Sequence, residues 1–128
     1  MRLKQTRLVT KDVLGLAQFY EAITGVNRAP GGPVYVEFQA PCDGLAIAGE
    51  AVQDAYGSDV VATAANRSAI LDFEVEDVDR EYHRLRNTVK DWVLTPTDQP
   101  WGTRAILFRD PDGNLINFFA PIRAATPA

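Results

Sequence analysis

Cysteine and histidine are nearly missing from this chain: Cys42 and His83 are the only ones among its 128 residues. No intrachain disulfide can form, which suits a reducing compartment, and the cytoplasm is the expected setting. No spacing suggests a Cys–His nucleophile pair, and the lone His83 sits beside Arg84 and Arg86 on what reads as a solvated helix face. Positive charge is also in deficit. Lys and Arg number 13 against 17 Asp and Glu, giving net charge −4. That balance argues against nucleic acid as a partner and leaves no polybasic patch for a membrane surface. No apolar run approaches the roughly 18 residues a spanning helix needs, and Met1-Arg2-Leu3-Lys4 leads into no signal-like stretch. Gly-rich phosphate loops, Gly-x-Ser-x-Gly and His-Glu-x-x-His are all absent.

What remains is an ordinary globular composition, 46% hydrophobic and 23% charged. A chain of this length folds as one domain-sized unit and buries roughly 65–70% of its unfolded surface. Leu3 to Thr10 reads as a strand. Asp12 to Gly25 reads as a helix, with Asp12 as cap, apolar residues from Val13 to Ile23 at three- and four-residue spacing, and Gly25 at the C-terminal stop. Pro30-Gly31-Gly32-Pro33 is a turn. Val34 to Gln39 alternates as a half-buried strand does, Pro41 to Gly44 turns again, and Leu45 to Ala48 is a short buried strand. Residues 51–67 show no clean period and read as a connector. Ala69 to Val75 is a second alternating strand and Asp77 to Asn87 a second capped helix. Trp92 to Thr95 precedes a loop holding Pro96 and Pro100.

The halves echo one another. Asp12 and Asp77 cap matching helices at an offset of 65 residues, and Asp43-Gly44 and Asp112-Gly113 occupy matching turns. A βαβββ unit repeated once fits this pattern: module one about 1–50, the connector about 51–67, module two about 68–122, and a frayed Ala/Thr/Pro-rich tail over 123–128. The clearest stretch is the last hairpin. Two runs rich in Ile, Leu and Phe flank Asp110-Pro111-Asp112-Gly113-Asn114. Asp110 can accept from backbone N–H groups ahead of it, Pro111 presets φ, and Gly113 takes positive φ without strain.

With Trp101-Gly102 leading in and Asn117 in the return strand, this hairpin resembles the last hairpin of the vicinal oxygen chelate superfamily. That superfamily takes in glyoxalase I, ring-cleaving dioxygenases, fosfomycin-resistance enzymes and bleomycin-resistance binding proteins. The resemblance implies an α+β fold in which paired βαβββ modules form a cup-shaped mixed sheet around a ligand. It also implies a homodimer, as in the bleomycin-resistance-like branch. Metal-dependent members hold a divalent ion on the first and last strand of each module. Carried over by position, the ligand sites are Gln5, Ile70, Asn117 and Ala48, with Ile47 or Glu50 in its place if the register slips. Ile70 and Ala48 cannot coordinate, and Asn117 stands where Glu is usual. The expectation is no metal and no cofactor, which sets aside chemistry that uses the ion as Lewis acid or redox centre.

Strand parity then gives a lining. If Ile70 faces the cup, so do Asp72 and Glu74, while Leu71, Phe73 and Val75 pack on the helix. Likewise Val34, Val36 and Phe38 turn to the helix, and Tyr35, Glu37 and Gln39 to the cup. Gln5, Arg7 and Val9 share a face, as do Leu115, Asn117 and Phe119. The ligand-binding set is therefore Gln5, Arg7, Tyr35, Glu37, Asp72, Glu74, Trp101, Asn117 and Phe119. Trp101, which with Trp92 flanks the loop before the last hairpin, is included for stacking at the mouth, with Tyr56 a weaker candidate of the same kind. The favoured function is metal-free sequestration of a small drug or metabolite, planar or aromatic and cationic or neutral rather than anionic. The alternatives are a lyase, epimerase, isomerase or dioxygenase-like enzyme using Glu37, Asp72 or Glu74, and a vestigial cup serving protein–protein interaction.

Overall fold

The computed structural model describes residues 1–122, so the expected frayed tail lies outside the described residues. The chain divides into two compact units, Met1–Asn66 with Pro111–Gly113, and Arg67–Asp110 with the described chain from Asn114 on.

The first unit begins with β1 (Thr6–Thr10) and α1 (Val13–Thr24), followed by β2 (Tyr35–Glu37), β3 (Leu45–Gly49) and a short helix, α2 (Val52–Tyr56). The sheet order is β1-β3-β2, with β1 parallel and β2 antiparallel to β3. Beyond β2 an isolated antiparallel bridge joins Arg28 to Phe38. Asp12 caps α1 by accepting from Gly15 N at 2.9 Å, and Gly25 closes it at φ 71. A side chain at that φ is strained, so glycine is the residue that suits this stop. Val13, Leu16, Ala17, Tyr20 and Ile23 are buried on one helix stripe. Val36 and Phe38 face that stripe, the Tyr20 and Phe38 rings meeting at 6.4 Å.

The second unit holds β4 (Ile70–Glu74), α3 (Val78–Leu85), β5 (Asp91–Asp98), β6 (Thr103–Arg109) and β7 (Leu115–Pro121), in sheet order β4-β7-β6-β5. The parallel β4–β7 and antiparallel β6–β7 pairings repeat those of the first unit. Phe108 and Phe118 meet at 5.3 Å, Trp92 joins Phe108 at 5.3 Å, and Tyr82 of α3 joins Trp92 at 4.9 Å. The turn between β6 and β7 is closed by Asp110, whose carboxylate accepts from Asn114 N at 2.9 Å and Asn114 Nδ2 at 2.8 Å. Asp110 and Asn114 are buried, so these bonds satisfy polar groups that water does not reach.

The fold is α+β with two mixed sheets, three-stranded in the first unit and four-stranded in the second, consistent with paired βαβββ modules. Four local expectations need correction. The first strand starts at Thr6, not Leu3, and Val34 lies outside β2 and is 62% exposed, so it does not pack on the helix. The connector contains α2, a helix of five residues, too short to show a helical period. The expected loop at Pro96 is instead part of β5, which runs from Asp91 to Asp98 with register shifts on both sides of Leu94. β5 is an edge strand, where a proline lacking its N–H need not break a ladder. Among the described residues no helix is long and apolar enough to cross a membrane.

An ion cluster ties α3 to its sheet. Arg104 donates through Nε and a second guanidinium nitrogen to Asp79 at 2.8 and 3.0 Å, and to Asp98 at 2.9 Å. The bonds from Arg104 hold the Asp79 carboxyl below its ordinary value. The lower value belongs to the folded state, so this contribution is complete above about pH 4 and is lost as acid protonates Asp79. Both side chains are more than a third exposed, and solvent screening limits the expected loss in Asp79→Asn to about 0.5–1 kcal/mol at pH 7. Urea unfolding at pH 7 and pH 2.5 checks this: the difference from wild type should shrink at the lower pH.

Candidate functional site

In the first unit, the register places Glu37 and Arg7 on either side of Ala46, and Tyr35 and Val9 on either side of Ala48. This is the face turned away from α1, since Val36 and Phe38 take the other. Alanines in the middle strand leave the longer flanking side chains free to reach one another. Gln5 Nε2 donates to Tyr35 Oη at 2.8 Å, and Tyr35 Oη donates to Glu37 Oε1 at 3.0 Å. Gln5 Oε1 is buried with no donor. Arg7 donates to Tyr56 Oη at 2.9 Å and lies 5.4 Å from the centroid of that ring. The Tyr56 hydroxyl raises the Arg7 guanidinium above its ordinary value, so Arg7 stays charged. Tyr56, weakly indicated by the sequence, is what holds Arg7.

Beside this polar chain lies a hollow of about 380 Å³, lined by Tyr35, Glu37, Val34 and the loop from Ala29 to Gly32. Tyr35 and Glu37 give it polar heads; Pro30 and Val34 give it apolar wall. In sequence, Pro30-Gly31-Gly32-Pro33 signals a turn only. Its one available signal was position, just ahead of a strand whose Tyr35 and Glu37 share a face. Gln39 points elsewhere, donating to the carbonyl of Arg28 at 3.3 Å.

In the second unit, the face turned away from α3 carries Ile70, Asp72 and Glu74 on β4, opposite Leu115, Asn117 and Phe119 on β7. Asn117 Nδ2 donates to Asp72 Oδ1 at 3.0 Å, while Asn117 Oδ1 is buried with no donor. Next in the row comes β6, with Arg109 opposite Leu115 and Leu107 opposite Asn117. Arg109 is a cation that the parity argument missed on this face. The signal was available, because the hairpin register follows from the Asp110–Asn114 turn. Glu37, Asp72 and Glu74 are all exposed, so the chain itself does not desolvate them. Trp92 packs in the aromatic row, whereas Trp101 is 74% exposed on the turn from Gln99 to Gly102 and lines no described hollow. The structure thus brings Gln5, Tyr35 and Glu37 together in one unit, and Asp72 and Asn117 in the other.

A sequence model of the Glyoxalase/Bleomycin resistance protein/Dioxygenase superfamily matches residues 2–118. The chain belongs to that superfamily. Among curated proteins, the uncharacterized YraH of Bacillus subtilis (strain 168) is 28% identical, the match covering 93% of this chain and 98% of that protein. A solved glyoxalase/bleomycin resistance protein/dioxygenase from Nocardioides is 25% identical with TM-score 0.80, covering 100% of this chain and 88% of that one. A protein of unknown function from Agrobacterium tumefaciens str. C58 is 25% identical with TM-score 0.81, covering 95% of each chain. These similarities establish the fold and the superfamily.

The superfamily's metal positions can now be tested on the pairing register. Asn117 stands opposite Asp72, and the residue opposite Arg7, 65 positions earlier, is Ala46. The first-unit counterpart of Asn117 is therefore Ala46, not Ala48. Carry-over by equal distance from the turn glycines, Gly44 and Gly113, misplaces it because six residues separate the paired Phe38 and Leu45, against three between Asp110 and Asn114. The four positions hold Gln5, Ala46, Ile70 and Asn117, so two are hydrocarbon. Ile70 is 52% exposed and Asn117 is bonded through its amide to Asp72. This donor set does not fit a divalent ion, which takes carboxylate, imidazole or several converging oxygens. Among the described residues no cluster of three or more His, Cys, Asp or Glu offers an alternative.

Proposed function

We propose that this chain binds a small organic molecule without a metal ion, with the first-unit face as the principal contact surface. The observation that carries this reading is the hollow of about 380 Å³ headed by the hydrogen-bonded Tyr35 and Glu37. Its size falls within the common range for small-molecule sites, and a few fixed polar groups on an apolar wall are what such sites use. Glu37 favours a positive ligand group, and Arg7 is already engaged by Tyr56. Asp72, Glu74, Asn117, Phe119 and Trp101 are proposed as ligand contacts of the second unit by itself. Sequestration of a drug or metabolite needs nothing more than such a surface.

A homodimer is part of the proposal, since each sheet ends in edge strands that proteins normally pair or cover. Native mass spectrometry of protein purified without chelator, then supplied with nickel, zinc, manganese or iron, tests both points. The expected species has about twice the 14.1 kDa chain mass and no bound ion. A tightly held ion per chain would restore metal-dependent chemistry to first place, and a monomer that binds ligand would remove the dimer.

A further inference from the structure

The Ala29–Gly32 loop has a second, larger hollow on its other side, of about 510 Å³, wholly within the first unit. Val13 and Leu14 from the first turn of α1, Val36 from β2, and Pro30 and Pro33 make its apolar wall; Glu21 and Arg28 form its polar end. Apart from Pro30, none of these side chains lines the Tyr35–Glu37 hollow. Leu14 is 52% exposed, an apolar side chain presented to the hollow instead of the core.

The two charges at the polar end are not equivalent. Glu21 Oε2 accepts from the backbone N–H of Arg28 at 3.1 Å and so fixes the start of the loop. Arg28 Nε lies 3.9 Å from the same oxygen, beyond hydrogen-bond reach, and the guanidinium donates no hydrogen bond within the described residues. A guanidinium carries five donors in a planar fork, so this one has donors to offer. An ammonium ligand would have to compete with a backbone N–H for Glu21 while facing the Arg28 charge. A carboxylate meets the guanidinium fork beside its 3.9 Å ion pair with Glu21, with two parallel N–H···O bonds available to it.

We infer that this hollow is a second binding site, for a small hydrophobic carboxylic acid whose carboxylate pairs with Arg28 and whose tail covers Val13, Leu14 and Val36. The inference stands independently of the function proposed above, because the two hollows share only the Ala29–Gly32 loop among their linings. Methyl-labelled full-length protein titrated with 3-phenylpropionate, and with 3-phenylpropanamide as its neutral match, tests it by NMR. Expected are shifts of the Val13, Leu14 and Val36 methyls and affinity for the acid about tenfold or more above that for the amide. Arg28→Gln should remove the preference. Leu14→Asp, an exposed change in the first helical turn where a carboxylate is well tolerated, should weaken the acid while leaving the melting temperature in place. Shifts confined to Val34, equal affinity for acid and amide, a preference that survives Arg28→Gln, or no shift at millimolar ligand would each overturn it.

Discussion

Truncating Phe108 to alanine is expected to remove about 3–5 kcal/mol of folding stability, a large share of the 5–15 kcal/mol typical of a domain. Phe108 is fully buried and stands mid-row, 5.3 Å from both Trp92 and Phe118. Trp92 in turn meets Tyr82, so the row connects three strands to α3. Losing its middle ring leaves a cavity that neither neighbour can fill without moving a strand. The melting temperature should fall by roughly 10–20 °C. Phe119→Ala is the matched control. Its ring lies on the other face of β7, half-buried and opposite Ala105, so truncation should cost much less stability. Thermal and urea unfolding of both variants decide the matter. A Phe108→Ala loss below about 1.5 kcal/mol would show that the row does not organise the second unit.

Much of this architecture was legible because local chemistry and burial agreed. Asp12 and Asp77 each accept from the N–H three residues on, at Gly15 and Arg80, as their cap positions require. Asp110 to Asn114 dictated the hairpin, and the alternation from Ile70 to Glu74 fixed which residues turn from the helix. The failures have equally local causes. Position counting assumed that both turns have one length, and the wider Phe38–Leu45 closure moved the register to Ala46. Pro96 suggested a loop because sequence does not reveal an edge strand. The loop from Ala29 to Gly32 lines both hollows, yet a Pro-Gly-Gly-Pro signal specifies a bend and not which side chains will stand across from it. Arg7 was read as a cation offered to ligand, but its partner Tyr56 lies 49 residues away and no local pattern joins them.

Charge selectivity at the Tyr35–Glu37 hollow is the remaining large effect. Planar cationic and neutral aromatics should bind ahead of anionic ones, and Glu37→Gln should weaken a cation by about 10–100-fold, the range for losing a charged hydrogen bond. Tyr35→Phe should act in the same direction but less. It keeps the Glu37 charge and removes the hydroxyl that donates to it at 3.0 Å. Calorimetry suits the measurement, because Trp92 and Trp101 both lie in the second unit. Cation affinity should fall as salt rises, since the exposed Glu37 carboxylate is open to screening. The same titration of Asp72→Asn and Glu74→Gln tells whether second-unit carboxylates contribute. Each should weaken the cation further if they do, and leave it unchanged if Glu37 acts alone. Selective binding of anions, insensitive to Glu37→Gln and abolished in Arg7→Gln, would show instead that Arg7 leaves Tyr56 to meet the ligand and that the carboxylates are bystanders.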